Sequence, residues 1–202
     1  MSSADPAQVE ALIQAGRLFH SRGWVPATGG NFSFRVDANT MAITASGCHK
    51  GELTPANVIL ADLEGRPVQA GARASYETLL HCQIYKRAPQ CGAVLHTHSI
   101  ANTVLSRRHD KLNLTGYELL KVLGGVDTHD AAVTIPVFPN DQDIARLSAT
   151  VDAQMQKGEA RHGYLIRGHG LYAWGPTLAS ARHRVEALEF MFECELQEWR
   201  RP

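Results

Sequence analysis

Two histidines at the end of a short apolar run are the first residues in this sequence that could do chemistry. Residues 92–95 are typical of a buried strand, and His96-Thr97-His98 follows them directly. Because successive strand residues point to opposite faces of a sheet, His96 and His98 are expected to share a face. Their ring nitrogens could then bind one metal ion at about 2 Å each. Structural hydrogen bonds at a strand end would suit the pair equally well.

A third candidate ligand is His169, which lies between two glycines. Gly168-His169-Gly170 joins two strand-like runs, so a tight turn is expected to orient this side chain. A catalytic zinc site uses three protein ligands and keeps one position open, and His169 would complete that set. The histidines without a comparable local signal include His20 and His183 in predicted helices, and His81, His109 and His162.

Two carboxylates could move protons beside such an ion. Glu77 is expected in the first turn of the helix before the histidine strand, where a negative charge also suits the helix dipole. Glu118 could be an exposed helical residue that pairs with Lys121. Spacing alone favours that ion pair for Glu118 and leaves the role of Glu77 open.

Two glycine-rich loops and a helix start could hold an anion. Backbone N–H groups and small polar side chains in such places form anion-binding nests. Neither the P-loop pattern nor the dinucleotide-binding glycine pattern occurs, so the loops suggest a phosphate only by their composition. The candidates are Thr28, Gly29, Gly30 and Asn31 in the first loop, Ser46, Gly47 and Lys50 in the second, and Ser75 at the helix start.

The elements that must position these residues alternate between helices and short strands. Frequent hairpin signals predict a mixed, largely antiparallel sheet flanked by helices. Helices are expected to begin at Asp5-Pro6, Ser75, Ser99, Asn140 or Asp141, and Thr177. Strands are predicted over residues 32–36, 41–44, 58–63, 92–95, 132–137, 163–167 and 171–174.

Length and composition narrow the class of protein. The 202 residues suffice for one sizeable core, so a single domain over residues 1–202 is expected. Twenty basic residues balance twenty acidic ones, which argues against partners such as nucleic acid or a membrane surface. The four scattered cysteines form no C-x-x-C pair, and no signal peptide or membrane span is evident. A cytoplasmic location is therefore expected.

In their order and spacing, these motifs resemble those of the class II aldolase/adducin-head superfamily, over nearly the whole chain. The resemblance implies a three-layer α/β/α sandwich and a homotetramer with active sites near subunit interfaces. It also implies one Zn²⁺ per subunit on His96, His98 and His169. Within the superfamily, residues 116–121, 140–144, 163–172 and 187–196 resemble the dehydratases of methionine salvage. A phosphorylated ketose is then the expected substrate.

The resemblance also implies roles for the two carboxylates. Glu118 matches the general acid/base of the dehydratases, whereas Glu77 matches the catalytic carboxylate of the sugar-phosphate aldolases. The aldolases usually carry Ser-Ser-Glu where this chain has Ser75-Tyr76-Glu77, a departure within the implied phosphate site. Zinc-dependent dehydration is the expected reaction. The alternatives are a class II sugar-phosphate aldolase or epimerase, and a non-catalytic binding module like the adducin head.

Overall fold

In a computed structural model, which describes residues 3–200, five α-helices and eight β-strands are formed. The helices are α1 (Pro6–Ser21), α2 (Thr78–Arg87), α3 (Ile100–Arg108), α4 (Ile144–Gln156) and α5 (Leu178–Trp199). The strands are β1 (Asn31–Arg35), β2 (Thr40–Thr44), β3 (Val58–Asp62), β4 (Ala93–Thr97), β5 (Lys111–Leu114), β6 (Val133–Phe138), β7 (Tyr164–Ile166) and β8 (Gly170–Gly175).

The strands form one sheet with the order β3-β2-β1-β4-β8-β7-β6-β5. Neighbouring strands run antiparallel, except that β6 and β7 are parallel. The mixed, largely antiparallel sheet predicted from the sequence is thus confirmed. β4 lies in the interior of the sheet, and its His96 is opposite Asn31 of β1 and Tyr172 of β8.

Helices cover both faces of this sheet. Apolar residues of α1, α3 and α5, such as Phe19 and Leu188, share one core with Leu95 of β4. Residues of α2 and α4, such as Leu80, share a second core with Val94. The three-layer arrangement implied by the resemblance is therefore confirmed.

The pleat of β4 decides which way its polar residues point. Because His96 is two residues from Val94, its ring faces the α2/α4 layer. Thr97 faces the opposite layer, where its hydroxyl donates to Glu189 of α5 at 2.5 Å. The strand therefore presents His96 on one face of the sheet and is anchored to α5 through Thr97 on the other.

Three of the predicted helix starts are confirmed by their capping hydrogen bonds. The side chains of Asp5, Ser99 and Thr177 each accept a backbone N–H from the first turn of α1, α3 and α5. These residues satisfy donors that have no partner within the helix.

The other two predicted starts are wrong by two or three residues. α2 begins at Thr78 with Glu77 as its N-cap, because Ser75 is part of a turn whose carbonyl accepts the N–H of Thr78. α4 is capped by Asp143, because Asp141 instead binds the guanidinium of Arg146 at 2.6 Å. Several residues before each helix are chemically suitable as N-caps, and these contacts decide which of them caps it.

The segment from residue 111 to 125 also differs from expectation. Strand β5 was not predicted, since its alternation of Leu112 and Leu114 spans only four residues. Glu118, which the sequence suggested as a possible helical residue, begins a 3-10 segment, Glu118–Leu123, which ends at Gly124 with a φ of +75°. Only glycine adopts such a φ readily, so the segment turns there.

Some expectations concern the chain as a whole. Among the described residues, no helix has the length and apolar character that a bilayer crossing requires. Cys48, Cys82, Cys91 and Cys194 are free thiols. The single domain over residues 1–202 stays a prediction, and residues 1, 2, 201 and 202 lie outside the described residues.

Candidate metal centre and active site

The three predicted ligands converge where β4 and β8 meet. The Nε2 atom of His98 lies 2.8 Å from that of His96, which lies 3.4 Å from that of His169. β4 carries His96, the residue directly after its end is His98, and the turn before β8 carries His169. Pairing of β4 with β8 therefore brings together residues that are 73 positions apart.

The ring of His96 is fixed in orientation. Its Nδ1 lies 2.8 Å from the carbonyl oxygen of Leu171, which can only accept, so Nδ1 carries the proton. The face of the ring stacks on Tyr172 with ring centroids 3.9 Å apart. The unprotonated Nε2 is consequently directed at the other two histidines. A backbone partner on the far nitrogen is the usual support of a metal-binding histidine.

Glu77 is the fourth member of this cluster. Its Oε1 lies 3.0 Å from His169 Nε2, and its Oε2 lies 3.4 Å from His96 Nε2. Burial alone would raise the pKa of Glu77, but His96, His169 and a hydrogen bond from Asn31 hold it well below its ordinary value. The cluster thus contains an ionised carboxylate.

His96 and His98 are suited to be neutral donors. Burial lowers the pKa of His98 to about 4 and lowers the pKa of His96 well below its usual range. A neutral imidazole has a free electron pair, which is what a metal ion requires.

These four residues could hold a divalent metal ion. Their nearest ligand atoms all lie within 4.8 Å of one another, and ligands bound at about 2.1 Å in a tetrahedron are about 3.4 Å apart. In addition, the buried Glu77 Oε1 faces His169 Nε2 at 3.0 Å, so both atoms point to the place where an ion would lie. The donor set of three imidazoles and a carboxylate suits zinc but also iron, cobalt and nickel.

The predicted anion-binding residues lie beside the cluster. A cavity of about 260 Å³ is lined by Glu77, His98 and His169. The same cavity is lined by all the residues predicted for the phosphate: Thr28, Gly29, Gly30, Asn31, Ser46, Gly47, Lys50 and Ser75. A phosphate held by these loops would place the rest of a small substrate next to the cluster.

Two of these residues are engaged in ways that the sequence did not indicate. The ammonium of Lys50 donates to the carbonyl oxygens of Thr28 at 2.9 Å and Cys48 at 2.5 Å. It therefore ties the two glycine-rich loops together. Asn31 uses both ends of its side-chain amide internally, since Nδ2 donates to Glu77 at 2.7 Å and Oδ1 contacts His81. Asn31 nevertheless lines the cavity.

Glu118 is separated from this cluster within its own chain. It does not line the cavity formed by the described residues; its side chain is 72% exposed and is paired with Lys121. Tyr117, the preceding residue, donates to Glu195 of α5 at 2.7 Å and so anchors the segment on the other face of the sheet. The ion pair that spacing favoured is present.

Two functional candidates were missed by the sequence analysis. His81 is fully buried and contacts Asn31, and burial lowers its pKa to about 3. Its position four residues after Glu77, on the same helix face, was the available signal. Glu189 binds Thr97 behind the histidine strand, and nothing in its local sequence indicates this.

The chain is similar to known proteins in sequence and in fold. A family model described as "Class II Aldolase and Adducin N-terminal domain" matches residues 10–196. The chain is similar to the methylthioribulose-1-phosphate dehydratase of Gluconacetobacter diazotrophicus, with 52% identity over 201 residues, 98% of this chain and 97% of the relative. Identity to the dehydratase of Pseudomonas syringae pv. tomato is 50% over 190 residues, 93% of each chain. The structure of the L-fuculose-1-phosphate aldolase of Thermus thermophilus matches with a TM-score of 0.77 and 26% identity, over 95% of both chains.

Proposed function

The chain belongs to the class II aldolase and adducin N-terminal domain family, and on this basis we propose that it dehydrates methylthioribulose 1-phosphate in methionine salvage. The product would be 2,3-diketo-5-methylthiopentyl 1-phosphate. The observation that carries the proposal is the cluster of three histidines and Glu77 at a cavity that the two glycine-rich loops also line. A non-catalytic binding module would have no use for this set of ligands.

The chemistry assigned to each group follows from its position. We propose Zn²⁺, one per subunit, on His96, His98 and His169; when bound, it would act as a Lewis acid toward the ketone of the substrate. The loops at residues 28–31 and 46–50 bind the phosphate and orient the carbon chain. Removal of the carbon-3 proton and departure of the carbon-4 hydroxyl as water then require a group that shuttles a proton.

We assign this proton shuttle to Glu118 of a neighbouring subunit. Within one chain Glu118 is exposed and does not line the cavity, so it can reach such a site only in an oligomer. An apolar groove beside it, lined by Leu119, Val122 and Phe190, offers a surface for that contact. A homotetramer with sites near its interfaces accounts for both features.

The reaction itself is tested by incubating the zinc-loaded protein with methylthioribulose 1-phosphate. The expected result is an absorbance from the diketone without any dihydroxyacetone phosphate. A sugar-phosphate aldolase, favoured by the position of Glu77 inside the cluster, would instead cleave the bond between carbons 3 and 4. Release of the three-carbon phosphate with no diketone would refute dehydration.

Subunit complementation tests the shared site. Glu118→Gln and His96→Gln homo-oligomers should both be inactive, whereas co-assembled mixtures regain activity. At equal amounts and random assembly, about a quarter of the sites combine an intact ligand set with an intact neighbouring Glu118. Mixtures without activity, despite verified hybrid assembly, would place Glu118 outside the neighbour's site.

A further inference from the structure

A continuous chain of buried polar side chains leads from Glu77 into the interior between β1 and α2. The hydroxyl oxygen of Tyr85 lies 2.8 Å from Ser33 Oγ, and Ser33 Oγ lies 2.7 Å from His81 Nδ1. His81 Nε2 contacts Asn31 Oδ1, and Asn31 Nδ2 donates to Glu77 Oε2 at 2.7 Å. Outside Glu77, no member of the chain is more than 3% exposed.

The periodicity of the two elements explains why these five residues meet. Glu77, His81 and Tyr85 are four residues apart, so α2 and its N-cap carry them on one helix face. Asn31 and Ser33 alternate on β1 and share one face of the sheet. The helix face packs on that strand face, and the side chains interleave into a single chain.

The hydrogen bonds along this chain must all point the same way. An ionised carboxylate only accepts, so Asn31 presents its NH₂ group to Glu77 and its carbonyl oxygen to His81. His81 Nε2 must then carry the proton, which leaves Nδ1 to accept from Ser33. The Ser33 oxygen in turn accepts from the Tyr85 hydroxyl. The opposite direction would set two acceptors, Asn31 Oδ1 and Glu77 Oε2, against each other at 2.7 Å.

We infer that His81 is a positioning residue: its Nε2–H fixes the Asn31 amide so that Nδ2 donates to Glu77 Oε2. With Oε2 held in this way, Oε1 is directed at His169, 3.0 Å away. Asn31 also ends the loop proposed to bind the phosphate and pairs with His96 across β1 and β4. One tautomer of one buried histidine therefore sets the orientation of the carboxylate.

The tautomer can be measured independently of any activity. In zinc-loaded protein with ¹⁵N-labelled histidines, the resonances of His81 are assigned by comparison with His81→Gln. We expect a protonated Nε2 and an unprotonated Nδ1 between pH 6 and pH 8. A protonated Nδ1, or an imidazolium, would overturn the inference whatever reaction the protein catalyses.

A pair of substitutions tests the consequence for catalysis, which rests on the proposed dehydration. His81→Leu removes the donor to Asn31, and kcat should fall about 10- to 100-fold, as for lost supports of metal ligands. The amide nitrogen of His81→Gln can take the place of Nε2 and should restore kcat to within a few fold of wild type. Tyr85→Phe alters only the far end of the chain and serves as the matched control.

Folded content, melting temperature and bound zinc are measured for all three variants. If His81 had a merely structural role, kcat would fall only in proportion to the loss of folded protein, and His81→Gln would not restore it. Equal kcat values for His81→Leu and His81→Gln, at equal zinc and folded content, would overturn the inference. If the wild type lacks dehydratase activity, the proposed function fails, while the tautomer measurement still decides the role of His81.

Discussion

At the scale of single residues, the two candidate carboxylates occupy opposite environments. Glu77 is enclosed by His96, His169 and Asn31 and is held as an anion. Glu118 is exposed and forms an ion pair with Lys121. A carboxylate held as an anion beside histidines suits metal binding, whereas a proton shuttle must accept and release a proton within reach of the substrate.

The same substitution at the two positions should therefore give different defects. Glu77→Gln removes the negative charge beside the histidines, and zinc affinity should fall about 10- to 100-fold. Glu118→Gln should keep zinc and fold but lower kcat by about two orders of magnitude or more. Zinc competition with a chelating dye and steady-state kinetics separate the two effects.

The exposed Glu64, which pairs with Lys86, provides a control of the same chemistry. Glu64→Gln should change neither zinc affinity nor kcat. If Glu77→Gln keeps full zinc affinity and loses all activity, while Glu118→Gln is near wild type, the two roles are reversed.

Glu189 is a buried acid on the opposite face of β4. Its Oε1 accepts from Thr97 at 2.5 Å and from Asn102 at 3.0 Å, while Oε2 has no partner. Burial raises the pKa of Glu189 to about 7. The hydrogen bonds that Glu189 accepts lower the pKa and offset only part of this rise. In the unfolded chain the pKa of this carboxyl group is near 4.5. Between that pH and about pH 7, the folded protein therefore keeps a proton that the unfolded chain has lost.

This difference predicts how stability depends on pH. Between about pH 4.5 and pH 7, the folded state binds more protons, so the free energy of unfolding falls as pH rises. Glu189→Gln keeps an acceptor for Thr97 but cannot ionise. Its stability relative to wild type should rise by roughly 3 kcal/mol from pH 4.5 to pH 8. Urea unfolding at several pH values measures this.

Glu10→Gln, at an exposed position of α1, is the matched control for the removal of a carboxylate. It should not show the rise predicted for Glu189→Gln. A constant difference between Glu189→Gln and wild type across the same pH range would contradict the raised pKa.

At the scale of elements, the site depends on how closely β4 and β8 approach. A Cβ atom at Gly170 would lie 2.1 Å from the carbonyl oxygen of Thr97 and 2.8 Å from Cε1 of His96. Neither atom can move without shifting the strand end that carries the proposed metal ligands His96 and His98. The glycine beside His169 therefore serves close approach, in addition to turn formation.

Gly170→Ala should consequently impair the metal site more than the fold. We expect most of the zinc affinity to be lost while circular dichroism keeps the wild-type shape. Gly158→Ala is the control, since Gly158 has a φ of +84° but nothing within 4 Å of an added Cβ. That variant should lose about 1–2 kcal/mol from backbone strain and bind zinc normally. Normal zinc binding by Gly170→Ala would show that the strands can separate locally.

Elements with a strong local signal were predictable from the sequence. The alternation in β4 placed His96 and His98 on one face, and Thr177 fixed the start of α5. The start of α4 could not be predicted, because Asn140, Asp141 and Asp143 are all suitable caps and a contact with Arg146 decides between them.

The site was only partly predictable for a related reason. Its individual histidines carry local signals, but their convergence depends on the pairing of β4 with β8, which no spacing reveals. The side-chain partners of Asn31 and Lys50 likewise come from distant segments. His81 had a local signal, its spacing from Glu77, which only the packing of α2 on β1 makes meaningful.

At the scale of the whole molecule, several exposed hydrophobic side chains lie around two grooves on one surface. Two adjoining grooves share Arg22, Trp24, Glu189 and Glu193 in their linings. Three exposed hydrophobic side chains also line them: Ile100 (70%), Val122 (41%) and Phe190 (54%). Exposed apolar side chains grouped with a polar rim are typical of contact sites between proteins. In the proposed tetramer a second copy would cover it.

Phe190→Asp should therefore dissociate the oligomer. A charge introduced into a buried apolar contact is costly to desolvate, so light scattering should report a smaller mass than for wild type. Because Val122 follows Glu118 in the same segment, loss of this contact also removes Glu118 from the neighbouring site, and kcat should fall at least tenfold. His96, His98 and His169 come from one chain, so each subunit should still bind zinc.

Val68→Asp, at a similarly exposed position (50%) outside the grooves, is the control and should leave mass and kcat unchanged. A Phe190→Asp protein that is smaller yet fully active would show that Glu118 is not needed from a neighbour.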